Sequence, residues 1–145
     1  MGLFRRKKDD SYHSTETGNV FKFDDGQKVV LNSRGLIPVV LQDAESRAVL
    51  HLGYMDRRAL YASMETRIVH IFRRSARQIE RYGENAGLEC RIESVHLHQS
   101  RRALLLTVWM QGDPDVPVPV TFLNSIPLKS PVDNVDDASA SPSDF

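Results

Sequence analysis

Three apolar stretches of strand length do most to limit what this chain can fold into: residues 36–41 (LIPVVL), 48–54 (AVLHLGY) and 103–110 (ALLLTVWM). Runs this short are better buried as strands than as helices, which need ten or more residues and an apolar stripe every 3.6. Between the first two lies Asp43-Ala44-Glu45-Ser46-Arg47, a polar break that predicts a hairpin. The third run is apolar on both alternations, which predicts a strand covered on both faces. Residues 90–98 predict a further strand, but Ile92 is out of phase with Val95 and Leu97. A bulge near Glu93 and Ser94 would restore the phase.

The remaining signals are weaker but consistent. Asp56 is placed to cap a helix over 57–65, with Leu60, Tyr61 and Met64 on one face. Residues 69–72 predict a short strand, and Gly83 and Gly87 punctuate the loop after it. Phe21 and Phe23 alternate with Lys22 and Asp24, as in an edge strand. Pro114, Pro117 and Pro119 argue for an extended edge or loop, since proline cannot donate to a ladder. The sum is an α+β fold, mainly β. Three zones are expected: a polar and partly flexible segment at 1–33, one domain at 34–128, and a disordered tail at 129–145. That tail is rich in Ser, Asp and Pro and has too little apolar surface to offset its ordering entropy.

Composition excludes several classes of function. Cys90 is the one cysteine, so neither an internal disulfide nor a single-chain zinc site of several thiolates can form. The 19 Lys and Arg balance the 19 Asp and Glu, which gives no global pull toward nucleic acid or an anionic membrane. No run approaches the roughly 20 apolar residues that span a bilayer. The basic cluster Arg5, Arg6, Lys7, Lys8 is not followed by the apolar core of a secretory signal. With Leu3 and Phe4 it falls short of stable lipid anchoring. A cytoplasmic location is expected.

Read in order, residues 35–60 (GLIPVVLQDAESRAVLHLGYMDRRAL) and 65–87 (ETRIVHIFRRSARQIERYGENAG) resemble the phosphoribosyl-AMP cyclohydrolases of histidine biosynthesis. The resemblance rests on a Gly-Leu-Ile-Pro opening, a Gln-Asp-Ala turn, a strand ending in Gly-Tyr-Met, Glu65-Thr66, His70, Phe72, Arg74-Ser75, Gly83-Glu84 and Gly87. Ser94-Val95 and the run from Ala103 to Leu106 extend it, so that it covers about residues 34–111. It implies the cyclohydrolase fold in an intertwined homodimer. The reaction it implies is hydrolytic opening of the adenine ring of phosphoribosyl-AMP. In the family, three cysteines contributed by both subunits hold a zinc ion, and an Asp-Cys-Asp-x-Asp motif holds magnesium. Bound zinc lowers the pKa of water from about 16 to about 7.

This chain departs from that pattern at the metal ligands. The Asp-Cys-Asp-x-Asp motif falls on His98, Gln99, Ser100, Arg101 and Arg102. The segment that carries the family's other two cysteines falls on DPDVPVPVTFLNSIPL, which has neither Cys nor His. Arg101 and Arg102 would repel a divalent cation. No zinc or magnesium is therefore expected. The reading is a catalytically inactive cyclohydrolase-like domain that serves as a structural, interaction or nucleotide-sensing module. The alternative is an active hydrolase with an altered metal site.

Some residues admit two readings. Arg74, Ser75, Gly83, Glu84 and His70 are the candidates for binding a nucleotide or phosphate, because guanidinium suits phosphate. The plainer reading of the series Arg67, Arg73, Arg74, Arg77, Arg81 and Arg91 is a solvated surface interleaved with Glu80 and Glu84. His70 could equally be a hydrogen-bonded, half-buried histidine. His96 and His98, two apart on a strand, are a weak alternative metal pair or simply polar surface. Cys90 reads as an inert buried residue, and Trp109 as core or dimer interface. Nucleic acid is not expected as a partner, whereas an unidentified protein partner is, with residues 114–127 as its first candidate surface.

Overall fold

The structure, a computed structural model, describes residues 19–131. The basic cluster at 5–8 and most of the tail expected at 129–145 lie outside the described residues. Among the described residues, eight strands and one complete α-helix follow in order: β1 (Val20–Lys22), β2 (Lys28–Val30), β3 (Ile37–Asp43), β4 (Val49–Met55), α1 (Arg57–Thr66), β5 (His70–Arg73), β6 (Gln78–Arg81), β7 (Glu89–Leu97) and β8 (Leu104–Gln111). The described chain is α+β and mainly β, as the sequence predicts.

A four-stranded sheet of order β4-β3-β8-β7 is the frame. Its two hairpins, β3–β4 and β7–β8, are antiparallel, and they join through a parallel pairing of β3 with β8, Val39 beside Leu104 through Asp43 beside Val108. Strand alternation sends Ile37, Val39, Leu41, Leu104, Leu106 and Val108 to the core, where all are buried. The expected bulge is present: the β7–β8 register shifts between Ile92 and Ser94, leaving Glu93 as the extra residue. Helix α1 begins as expected, with the Asp56 carboxylate accepting from the Ala59 N–H at 2.8 Å, a cap that contributes about 1 kcal/mol. Its buried face is Ala59, Leu60 and Ser63, one step round from the face expected, with Tyr61 packed partly against the core.

Three differences from the sequence reading have physical causes. Phe21, Val29 and Leu31 are buried in the main core, so the β1–β2 hairpin packs with the domain and the core begins upstream of residue 34. The β5–β6 hairpin was not foreseen, because Gln78, Glu80 and Arg81 hide the strand alternation among surface charges. Trp109 is not core: it is 41% exposed on the outer face of β8, next to Arg91 of β7. Coverage of β8 on both faces therefore fails toward its C-terminal end.

Two small hairpins and a linking segment complete the scaffold around the site. Val69 N–H donates to the Cys90 carbonyl and Ile92 N–H to the Arg67 carbonyl, which fastens the exit of α1 along β7. Ser63, buried on α1, accepts from the His70 N–H at 2.9 Å and so sets the start of β5.

Candidate functional site

The nucleotide-site candidates fall on the β5–β6 hairpin and the turn that follows it. Arg74 and Ser75 occupy the tip, where the Arg74 guanidinium lies 4.5 Å from the centre of the Tyr54 ring, a cation–π contact. Gly83 and Glu84 lie beyond the other end of β6. Gly83 has a φ of 87°, which a side chain would resist, and its carbonyl accepts from the N–H groups of Ala86 and Leu88. The Glu84 carboxylate pairs with Arg81 at 3.2 Å, and Arg73 pairs with Glu80 across the hairpin at 3.4 Å. Both pairs are exposed and contribute little to stability. His70 is half-buried, and its Nδ1 donates to the Ile68 carbonyl at 2.8 Å, leaving Nε2 as the acceptor.

Of these five residues, Gly83 alone lines the cleft beside the β5–β6 hairpin. The cleft, of about 380 Å³, also takes in Arg73, Arg81, Tyr82, Asn85 and His51. At its centre is a cluster that the sequence reading missed. The His51 ring stacks on Tyr82 with centroids 4.8 Å apart, and its Nδ1 meets the Thr121 hydroxyl at 2.9 Å. Tyr82 donates its hydroxyl to the Pro119 carbonyl at 2.8 Å, and the Thr121 N–H donates to the Leu50 carbonyl at 2.9 Å. The proline-rich segment is thereby strapped across β4 and the end of β6. Gly53 makes room for this: a Cβ there would lie 2.8 Å from His51 Nε2. Burial lowers the His51 pKa, and burial followed by the neighbouring Cys90 raises that of Tyr82 to about 12. Seventy positions separate His51 from Thr121, so no local pattern could have found the pair.

The turn joining β7 to β8 stands where the resemblance puts metal ligands. His98 N–H donates to Ala103 and Arg101 N–H to His98, closing a tight loop with Arg101 at a φ of 65°. His98 Nδ1 accepts from the Ser100 N–H at 3.0 Å, which places that ring's proton on Nε2. The Ser100 hydroxyl accepts from the Arg102 N–H, and Arg101 donates to the Gln27 amide oxygen at 3.0 Å. The turn closes on local hydrogen bonds, is tied to the β1–β2 hairpin through Arg101, and holds no carboxylate.

His96 and His98 do share a shallow cleft of about 430 Å³. His96 Nε2, however, meets the Ser94 hydroxyl at 2.9 Å. Ser94 in turn contacts the Thr107 hydroxyl, which donates to Glu93 at 3.2 Å. Among the described residues, no three His, Cys, Asp or Glu side chains come together to hold a metal ion. Cys90 faces the core, fully buried, and burial pushes its thiol up to about 12. The turn from His98 to Arg102 offers neither a carboxylate nor a thiolate as a metal ligand.

No family model matches the chain. The histidine biosynthesis bifunctional protein HisIE of Staphylococcus epidermidis is 38% identical over 85 residues, 59% of this chain and 40% of that protein. The phosphoribosyl-AMP cyclohydrolase of Methanosarcina barkeri is 37% identical over 81 residues, 56% of this chain and 63% of that protein. That of Nitrosococcus oceani is 34% identical over 86 residues, 59% and 65% respectively. The chain thus spans between 40% and 65% of the length of these curated relatives.

Proposed function

We propose that this chain, a homologue of the phosphoribosyl-AMP cyclohydrolases, is a non-catalytic descendant of that family that works as a dimeric interaction or nucleotide-sensing module. One observation carries the reading: the turn from His98 to Arg102 closes on its own hydrogen bonds and presents two arginines where the family gathers carboxylates and a thiolate. Attack of water on an aromatic ring carbon near neutral pH requires a metal-bound hydroxide or an equally strong base. Neither is supplied by His98, whose Nδ1 is occupied by a backbone N–H.

A dimer is supported by the apolar surface that the single chain leaves bare. Leu52 and Trp109 on the outer sheet face are 47% and 41% exposed, and Phe122, Leu123, Ile126 and Leu128 are more exposed still. Residual nucleotide or phosphate binding is supported by Arg74, Ser75, Gly83, Glu84 and His70, held in the same chain order as in the family. Histidine biosynthesis is then the ancestral setting. The competing reading, an active hydrolase with an altered metal site, draws on His96 and His98 lining one cleft.

The deciding experiment measures zinc content and phosphoribosyl-AMP turnover on purified full-length protein. The expected result is no stoichiometric zinc and no turnover above the buffer rate; bound zinc together with turnover overturns the reading. AMP should raise the melting temperature of the parent protein and not that of Arg74→Ala. Absence of any rise in the parent removes the nucleotide-sensing part.

A further inference from the structure

A groove of about 330 Å³ lies between the β1–β2 hairpin, the end of α1 and β7, and it belongs to neither site described above. Its apolar wall comes from Phe23, Met64, Ile92 and Val95. Its rim carries Asp24, Asp25 and Glu93 against Arg67, with Arg101 beside it, bonded to Gln27 and facing Asp25. Hydrogen bonds from the Gln27 amides keep Asp25 below the usual carboxylate range, so it remains anionic at neutral pH. A groove of this kind fits an occupant with one or two large apolar side chains followed by positive charge.

That combination stands at residues 3–8, Leu-Phe-Arg-Arg-Lys-Lys; the similar run Ile71-Phe72-Arg73-Arg74 is already committed to β5, with Ile71 in the core. We propose that this groove is the docking site of the chain's own N-terminal segment, with Leu3 and Phe4 against the apolar wall and Arg5, Arg6, Lys7 and Lys8 toward the acidic rim. Reach is not limiting. The stretch from Asp9 to Asn19 spans roughly 35 Å when extended, and Phe21, two residues further on, already lines the groove. A short tether gives an effective concentration in the millimolar range, so weak intrinsic affinity is enough. Charge complementarity makes the contact salt-sensitive, because roughly 1 M salt shortens the screening length to about 3 Å.

The test is made on the full chain. A nitroxide is attached to Gly2→Cys, and Cys90, fully buried, stays out of the labelling reaction. Amide signals of Met64, Ile92 and Val95 should broaden in the labelled protein. That broadening should fall at least twofold in Phe4→Ser, in Arg5→Glu with Arg6→Glu, in the groove-side variant Asp25→Lys, and in 1 M salt. Asp25 is exposed to solvent, so Asp25→Lys leaves the core intact. Absent broadening, or broadening that ignores these changes, overturns the proposal. So does broadening that also appears when spin-labelled and isotope-labelled chains are separate molecules, which would assign the groove to a second copy. Capture of residues 3–8 by phosphatidylserine vesicles, with the groove amides unaffected throughout, would assign the segment to a lipid surface and overturn it as well.

Discussion

The two histidine clusters of this protein differ in how far along the chain their partners come from. His51 is held by Thr121, 70 positions away, and by Tyr82, which in turn grips Pro119. His96 and His98 each bond a serine two positions away. The first cluster cannot form until the chain end has returned to β4, so it reports on the fold as a whole. The second is a property of one strand and one turn. The histidines of the second cluster take their partners locally, and the turn's distant ties run instead through Arg101, which meets Gln27 and the Val30 N–H.

The comparison breaks if the two clusters respond alike to mutation. Tyr82→Ala removes a half-buried ring and the strap's anchor, and should cost about 2–3 kcal/mol in denaturant unfolding; the Thr121 amide should exchange much faster. His98→Ala should cost less than about 1 kcal/mol and leave Thr121 protected. Equal losses would show that the second cluster is not local. Tyr82→Phe isolates the hydroxyl that meets Pro119, and about 1 kcal/mol is expected.

Acid should sharpen the contrast. Burial lowers the folded-state pKa of His51 below its unfolded value near 6.5, so below that pH the unfolded chain binds the extra proton. Stability is then full above about pH 6.5 and declines as the pH falls toward the lower, folded-state pKa. His51→Gln should flatten this segment of a stability-versus-pH curve. The smallest change is expected at Arg101, held at a φ of 65°. Arg101→Gly relieves a left-handed backbone but loosens the unfolded chain, for a net gain of about 0.5 kcal/mol by thermal melting.

What the sequence made legible follows the same division. The Asp56 cap, the hairpin through residues 43–47 and the bulge at Glu93 are local, and all three stand in the structure. The β5–β6 hairpin was lost among charges because its outward residues are as polar as a loop. Phe21 was visible as one half of an alternation, but its burial depends on the whole core closing over it. The nucleotide-site candidates were chosen by chain order, and order could not tell that Arg74 and Ser75 ride the tip of a hairpin whose far end leads to Gly83 and Glu84. The strap over His51 left no local trace beyond three prolines.

The parallel pairing of β3 with β8 bears on how the molecule is assembled. Each hairpin closes a short loop and forms in microseconds, but Val39 meets Leu104 only across the intervening chain. During synthesis from the N-terminus, β3 and β4 emerge well before β8, and one ladder edge of β3 stays unpaired until residue 104 and beyond have been made. A nascent chain stalled in that interval exposes a hydrophobic strand edge, the kind of surface that chaperones shield and aggregates recruit. Completion of the sheet, and with it the first fully protected state, waits on the last strand of the domain.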